Sequence, residues 1–419
     1  MYHNNSLLGI KLAQKQKFPN LKPLWIGLFV DLFGFYVIIP FLAIFITIFQ
    51  TTPLMIGLLL STNAIFTVIF APIWGKISDK IGRKPVLIIS QIGTFAAFLV
   101  LAFSNALWLL FVSRIIDGIF GGNWPMVKAI ISDEVPPKDR GLQMTNIGVV
   151  HVLAGLVGPG LGGILSLFQI LGPDYPVATM GLVAAGLSFG ALLITIFFIN
   201  ESYPKEKRLH MEKTIKFKVK IRKNMDASYL LTLYAFHTFS FIMYITTLVI
   251  YIGYNLGLNA FEIGILLMIT GVFRAIVRFT LFKPTLKLLG EKQMTRFGLF
   301  IIVVTFFIVG FIQNIIALLI LMLVVSYGVS CSRGLLISKI TQSVTPKEQG
   351  KINGLTTTLD NIAQIGGPLV GAFILTVYSP IVWGAAMALI ALVGFIMVFR
   401  KIVPLHLKEQ PLQPRQIGN

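Results

Sequence analysis

Apolar runs of about 20 residues recur along the chain from Leu24 onward, with only short polar breaks between them. A run of this length spans a hydrocarbon core of about 30 Å as a helix, and backbone groups in lipid need the internal hydrogen bonds that a helix supplies. With 56% hydrophobic residues and a mean hydropathy of +0.84, the chain has too little polar surface for a soluble globule. The pattern predicts an all-α polytopic membrane protein with twelve transmembrane helices, here called spans 1 to 12, centred near residues 36, 65, 96, 119, 154, 188, 241, 272, 302, 328, 364 and 391.

Basic residues fall in alternate loops of this pattern. The formal net charge of +19 would by itself be compatible with nucleic-acid binding. However, the loops near residues 51, 105, 174, 257, 314 and 379 contain no Lys or Arg, and the basic residues lie in the other polar segments. By the positive-inside rule this distribution argues against a nucleic-acid partner and predicts a multi-pass plasma-membrane protein with both termini in the cytoplasm. The first 23 residues are polar and resemble no cleavable signal, so span 1 is expected to stay in the membrane.

One long polar break divides the chain at residues 201–227, which are rich in Lys. We interpret it as a cytoplasmic basic linker between an N-terminal six-helix bundle at 23–200 and a C-terminal six-helix bundle at 228–403. Residues 1–22 and 404–419 are then a cytoplasmic N-terminal segment and a cytoplasmic tail. The single cysteine, Cys331, rules out an internal disulfide and a multi-cysteine metal site.

The two halves carry an internal repeat, in which residues recur 209 positions later. The repeated residues are Val135, Pro137, Lys138, Asp139 and Gly141, which return as Val344, Pro346, Lys347, Glu348 and Gly350, and Gly158, Pro159 and Gly162, which return as Gly367, Pro368 and Gly371. A weaker echo relates Ile81-Gly82-Arg83-Lys84 to Leu289-Gly290-Glu291-Lys292, with a shift of 208. The halves are therefore interpreted as diverged copies of one unit.

Three motifs carry a family resemblance. The loop Gly75-Lys-Ile-Ser-Asp79-Lys-Ile-Gly82-Arg83-Lys84-Pro85 resembles the loop signature of the major facilitator superfamily. Ser113-Arg114-Ile-Ile-Asp-Gly118 is similar to that family's helix 4 motif, and Gly158-Pro159-Gly-Leu-Gly162-Gly163 to the helix 5 motif of its proton-driven antiporters. Asp31-Leu-Phe-Gly34 ahead of Pro40 looks most like the drug:proton antiporters, which include the tetracycline exporters. The resemblance covers nearly the whole chain and implies the major facilitator fold, with two pseudo-symmetric six-helix bundles.

The loop after span 2 is a candidate cytoplasmic gating latch. Asp79 stands at the C-terminal end of its helix, where the helix dipole disfavours negative charge, so it needs a partner. Arg83 lies four residues on, Asp133 could share its guanidinium, and the start of span 11 near Gly350 could receive the carboxylate. The resemblance implies that such a cluster holds the cytoplasmic side in one access state and breaks in the other. The latch candidates are Gly75, Asp79, Gly82, Arg83, Lys84 and Asp133; the alternative is an ordinary basic topogenic loop.

Span 5 carries small residues at helical spacing. Gly155, Gly158 and Gly162 share one face, which lets another helix approach closely. Pro159 leaves the carbonyl of Gly155 without its usual donor and permits a bend. The antiporter-like motif comprises Gly155, Gly158, Pro159, Gly162 and Gly163, and the resemblance implies that it prevents leakage during transport. Plain helix packing is the alternative.

Ionisable residues inside the predicted spans are few and cost about 2.5 to 3.5 kcal/mol each on insertion scales, so they mark candidate sites. The candidates for proton coupling or the substrate cavity are Asp31, Arg114, Asp117, His151, Arg274 and Asp360. Asp31 could bind a proton or a cation, or form a salt bridge with Arg114. Asp117 could pair locally with Arg114 or carry a proton itself. His151, the repeat twin of Asp360, could face Arg274 or Arg278, or bond a backbone carbonyl within the core.

These residues favour secondary transport over other functions. The sequence has no Walker A loop, paired metal ligands or nucleophile triad, which argues against ATP-driven transport and against an enzyme, and no cofactor is expected. We expect a monomeric proton-coupled antiporter that exports a drug-like or amphipathic small molecule by alternating access within the lipid bilayer. Import of a nutrient by the same fold and a non-transporting membrane sensor are the alternatives. Arg274 and Ile302 stand where the resemblance implies a histidine and an aspartate in the tetracycline exporters, which argues against tetracycline itself.

Overall fold

The computed structural model describes residues 18–206, 225–345 and 348–400, and within these ranges the chain is helical and contains no strand. The helices are α1 (Leu21–Ile38), α2 (Phe41–Ile48), α3 (Pro53–Ile81), α4 (Arg83–Ala102), α5 (Leu107–Ile119), α6 (Asn123–Glu134), α7 (Pro137–Leu165), α8 (Ala178–Phe198), α9 (Met225–Asn255), α10 (Ala260–Ile276), α11 (Phe282–Val309), α12 (Ile315–Gln342), α13 (Gln349–Val377) and α14 (Pro380–Met397). A π-helical turn, Val277–Leu281, joins α10 to α11. Most of the predicted linker, the predicted tail, residues 1–17 and the repeat residues Pro346 and Lys347 lie outside the described residues.

Ten helical stretches of the described chain are long and apolar enough to cross a membrane. All twelve predicted span centres fall within helices, and the prediction of an all-α membrane protein is confirmed. Large apolar side chains on the helix surfaces are exposed, such as Phe197 at 73% and Leu389 at 65%, as expected for helices whose solvent is lipid. The count of twelve stays a prediction, because Ala260–Val309 runs as one stretch of 50 residues and span 4 is divided.

Span 4 is not one helix, contrary to the prediction. It consists of α5, with 13 residues, and α6, with 12 residues, separated by a turn at residues 120–122. Pro125 explains the break, because it has no N–H to donate to the carbonyl of Gly121 and its ring would clash with that carbonyl in a continuous helix. The indole Nε1 of Trp74 donates a hydrogen bond of 2.6 Å to the carbonyl of Ile119, at the end of α5. The break places Asn123 at the first position of α6.

The weaker sequence repeat, which relates Gly82 to Gly290, is accompanied by a similar backbone conformation at the two glycines. Gly82 has φ 109° and ψ 165°, where α3 ends and α4 begins. Gly290, its echo, has φ 69° and ψ 163° and interrupts α11, so that Ala260–Val309 contains more than one straight helix. Positive φ of this kind is accessible to Gly and strained for other residues. The two loops therefore keep the same sharp turn although Asp79 and Arg83 have diverged to Lys287 and Glu291.

The described residues form two compact units. The first unit comprises residues 18–206 together with Ile252–Gly271, and the second comprises residues 225–251 and 272–400. Buried apolar residues of α1, α4, α6 and α7 form the core of the first unit near the candidate sites, including Leu28, Leu87 and Val127. A smaller core in the second unit includes Tyr234 and Leu336. The predicted bundle boundaries, 23–200 and 228–403, stay predictions.

Candidate functional site

Arg83 is the centre of a polar cluster in the first unit. Its NH1 donates to Asp79 Oδ1 at 2.7 Å and to Ser78 Oγ at 2.5 Å, and its Nε donates to Asp133 Oδ2 at 3.1 Å. The guanidinium also lies 4.8 Å from the ring centre of Tyr203. Both contacts predicted for the latch are therefore present, with the bend at Gly82 directing Arg83 back toward α3. The contact proposed near Gly350 stays a prediction.

The segment after α8 completes this cluster, which sequence reasoning did not anticipate. The Glu201 carboxylate accepts the backbone N–H of Arg83 at 2.9 Å and that of Lys84 at 3.2 Å, and so caps the start of α4. Ser202 Oγ donates to Asp133 at 3.3 Å. The ammonium of Lys84 donates to the carbonyl of Ile196 in the last turn of α8 at 2.8 Å. Gly75, also a latch candidate, contributes its carbonyl to the Ser78 hydroxyl at 2.7 Å.

Asp31 lies on α1 beside a small cavity. Its Oδ2 accepts a hydrogen bond of 2.9 Å from the side-chain nitrogen of Asn123, and its Oδ1 is shielded from solvent. Among the described residues no Lys, Arg or His forms an ion pair with Asp31, so the alternative of an Asp31–Arg114 salt bridge is not observed. Gln91 and Thr195 line the same cavity. The first unit therefore holds a buried carboxylate that is met by neutral polar groups.

Arg114 and Asp117 form the local pair on α5. Their NH1 and Oδ2 atoms are 3.6 Å apart, and only 7% and 15% of the two side chains is exposed. Asn63 Nδ2 donates to the same carboxylate oxygen at 2.8 Å, and the second terminal nitrogen of Arg114 donates to Ser113 Oγ at 3.1 Å. Burial makes each charge dependent on the other, since an isolated ion would be costly in this interior.

His151 contacts aromatic side chains of the first unit. Its Nε2 lies 2.6 Å from the hydroxyl of Tyr36, within hydrogen-bond distance, and its ring centre is 5.8 Å from that of Trp124. The ring of His151 therefore bonds the Tyr36 hydroxyl, and the alternative of a bond to a backbone carbonyl stays a prediction. The predicted approach to Arg274 or Arg278 stays a prediction; Arg274 lies in the last turn of α10, in the second unit.

Asp360 is the corresponding group of the second unit. Its Oδ1 accepts hydrogen bonds from Tyr234 at 2.9 Å and Thr238 at 3.3 Å, and lies 3.3 Å from a terminal nitrogen of Arg333. Arg333 stands 209 positions after Trp124, as Asp360 does after His151. Residues at equivalent repeat positions are therefore in contact in both units. Trp124 and His151 form an aromatic contact in the first unit, and Arg333 and Asp360 form an ion pair in the second.

The glycines of α7 make close contacts with α1. A Cβ atom at Gly158 would overlap Tyr36, and one at Gly162 would overlap the carbonyl of Val37. Gly163 and Pro159 face Gly264, which belongs to the first unit. In the second unit the twins Gly367 and Gly371 meet Met243 and Thr247 of α9 in the same way. The predicted close packing is present, and a role in preventing leakage stays a proposal.

Comparison with known proteins gives a consistent identification. The sequence model described as the Major Facilitator Superfamily matches residues 24–281 and 230–418. The tetracycline resistance protein, class H, of Pasteurella multocida is 29% identical over 377 residues, which cover 86% of this chain and 88% of that protein. The multidrug resistance protein MdtG of Proteus mirabilis is 25% identical over 86% of this chain and 90% of its own length. A D-xylose-proton symporter has the same fold, with a TM-score of 0.74 and 15% identity over 92% of this chain and 98% of that one.

Proposed function

Because this chain belongs to the Major Facilitator Superfamily, we propose that it is a proton-coupled antiporter that exports a drug-like or amphipathic small molecule by alternating access. Two relatives that align over 86% of the chain are named as drug-resistance proteins, which supports a substrate of this class. We place the protein in the plasma membrane with both termini in the cytoplasm, on the distribution of its basic loops. The proposal takes it to be a monomer.

The observation that carries proton coupling is the buried carboxylate of Asp31. An ionised carboxylate shielded from water and without a counter-charge is costly, so a proton bound there stabilises the conformation that buries it. Release of that proton on the other side would favour the second conformation. A substrate that binds one conformation better is thereby coupled to the proton gradient.

The Arg83 cluster is the proposed cytoplasmic gate. Asp79 is half-exposed and bonds only one end of the guanidinium, whereas Asp133 and Ser202 are held between α6 and the segment after α8. In this mechanism the cluster stabilises one access state and loses contacts in the other. The close α1–α7 contact at Gly162 keeps the first unit sealed while the gate changes.

The test is substrate flux in inverted membrane vesicles with an imposed pH gradient, with ethidium and tetracycline as probes. The intact chain should accumulate ethidium only while the gradient lasts, and Asp31→Asn should abolish the gradient-dependent part. Asp174→Asn is the matched control, because Asp174 is an exposed carboxylate in the loop before α8. Uptake that persists after the gradient is collapsed would contradict antiport. Accumulation in right-side-out vesicles instead would favour the import alternative.

A further inference from the structure

Four side chains from four helices of the first unit line one small cavity. They are Asp31 of α1, Gln91 of α4, Asn123 of α6 and Thr195 of α8. Gln91, Asn123 and Thr195 are 4%, 8% and 0% exposed. Each of the four side chains carries an oxygen that is shielded from solvent and has no hydrogen-bond partner in the described part of the chain, namely Asp31 Oδ1, Gln91 Oε1, Asn123 Oδ1 and Thr195 Oγ1. Buried polar atoms are rarely left unpaired, so this concentration indicates a ligand.

The cavity has the size for a single small occupant. Its empty space holds about one water-sized sphere. Its remaining wall is apolar and comes from Leu24, Gly27, Leu28, Leu87, Val127 and Ile199. An organic substrate is too large for this space, whereas an ion or one water molecule fits.

The local hydrogen bonds leave these oxygens available. The side-chain nitrogen of Asn123 donates to Asp31 Oδ2 at 2.9 Å, which fixes the orientation of the amide and leaves its oxygen as an acceptor. Thr62, Thr247 and Thr270 donate to the backbone carbonyl four residues earlier, at 2.8, 2.6 and 2.8 Å. Thr195 makes no such bond among the described residues, so its hydroxyl remains free for the cavity.

The chemistry of the four groups selects a hard cation of single charge. Oxygen ligands suit hard cations, whereas transition metals prefer His and Cys, neither of which lines this cavity. Asp31 supplies one negative charge and the other three groups are neutral. The charges on α5 neutralise each other in the Arg114–Asp117 pair, α8 carries no ionisable residue, and His151 of α7 bonds Tyr36. A divalent ion would therefore leave a positive charge uncompensated.

A proton and a water molecule are the alternative occupants of this cavity. A proton on Asp31 adds one donor and a water molecule adds two, and the Thr195 hydroxyl can itself donate to one of the other three oxygens. A cation attracts the lone pairs of all four oxygens together and also neutralises the carboxylate. We propose that this cavity is a sodium site, formed by Asp31, Gln91, Asn123 and Thr195. The inference rests on the proposed function only in that Asp31 belongs to both, so that sodium would compete there with the coupling proton.

The test is sodium binding to the full-length chain purified in detergent. We expect saturable binding of radioactive sodium at one ion per chain, and a rise of the unfolding temperature in NaCl that equal concentrations of choline chloride or KCl do not reproduce. Asp31→Asn should abolish binding, and Thr195→Val should raise the dissociation constant for sodium by about tenfold or more, as found when partners at metal sites are removed. Ser188→Ala is the matched control, because Ser188 is a buried hydroxyl on α8 that does not line the cavity.

Two results would overturn the proposal. One is the absence of saturable sodium binding by the intact chain, which is also the expectation for a buried water molecule. The other is sodium binding that survives both Thr195→Val and Gln91→Leu unchanged, which would place the ion elsewhere. The experiment uses neither a gradient nor a drug, so a failed sodium site leaves proton-driven flux to be judged separately by the vesicle experiment.

Discussion

Arg83 has partners of unequal strength, and this difference defines how its cluster can work. The side chain of Asp79 is 50% exposed and lies in the last turn of α3, across the bend at Gly82 from Arg83; an exposed pair contributes about 0.2 to 1 kcal/mol. Asp133 is 18% exposed and its bond ties α6 to the start of α4, so it is the stronger partner. The weak pair can break at little cost, which is the property that a reversible gate requires.

At Glu201 we predict an effect on stability. Glu201→Gln should destabilise the protein by about 1 kcal/mol, because the carboxylate caps two N–H groups at the positive end of the α4 dipole and an amide can offer only one oxygen. Thermal unfolding in detergent measures the change. Glu206→Gln, an exposed carboxylate in the same segment, should leave the unfolding temperature as it is. Equal unfolding temperatures for the two variants would show that the cap is unimportant.

At Asp117 the predicted effect depends on Arg114. Asp117→Asn leaves a buried guanidinium without its counter-charge and should cost on the order of 3 kcal/mol. Adding Arg114→Gln should restore much of that loss, since the double variant buries neither charge. Unfolding of both single variants and the double variant gives the coupling. Strict additivity would argue against the pair, and full proton-driven transport by Asp117→Asn would argue against proton coupling at this residue.

The sequence predicted some of these contacts and not others. The separation of the contacting residues along the chain explains part of the difference. The Asp79–Arg83 contact is local, and the Asp133 contact was predicted because the loop motif resembles a known family. Glu201 lies 118 positions from Arg83, and its carboxylate is one of many in polar segments. Only the folding of α8 against α4 brings it to that helix end. Gln91 and Thr195 were missed for a different reason, since a single amide or hydroxyl within an apolar run gives no signal of its own.

At the scale of the helices, packing between α1 and α7 is the most sensitive contact. Gly162→Ala should destabilise the protein by about 1 to 3 kcal/mol, because the added methyl group would overlap the carbonyl of Val37. Gly148→Ala on the same helix meets no atom within 4 Å, so it should be neutral or stabilising by up to about 1 kcal/mol through helix propensity. Thermal unfolding of the two variants side by side is the measurement. Equal unfolding temperatures for the two variants would show that the close approach of α1 and α7 at Gly162 does not constrain stability.

The helices themselves could be predicted, and their interruptions could be predicted only in part. Every span centre that was predicted from a run of apolar residues lies within a helix. Pro125 breaks span 4, although the apolar pattern continues across it, because hydropathy does not register a missing backbone donor. In the sequence, the turn at Gly290 was indicated only by a weak similarity to the loop at Gly82. The backbone angles show that both glycines have positive φ.

Across the whole chain, residues related by the repeat occupy equivalent positions in the two units but differ in side-chain chemistry. Trp124 meets His151 in the first unit, and their repeat twins Arg333 and Asp360 form an ion pair in the second. The glycine contacts of α7 recur on α13. The buried carboxylate with its cavity lies in the first unit. The all-α membrane fold was predictable from the apolar runs and the motif resemblance, while the different contacts of the two copies follow from which residues diverged.

Proton antiport can be tested by following the exchange of protons for substrate. Purified chain is reconstituted in liposomes that contain a pH-sensitive dye and no initial gradient, and ethidium is added outside. For a proton antiporter we expect ethidium entry to drive protons outward, so that the lumen becomes alkaline, and we expect Asp31→Asn to abolish this change while Asp174→Asn retains it. Ethidium entry with no pH change, or with acidification of the lumen, would contradict proton antiport.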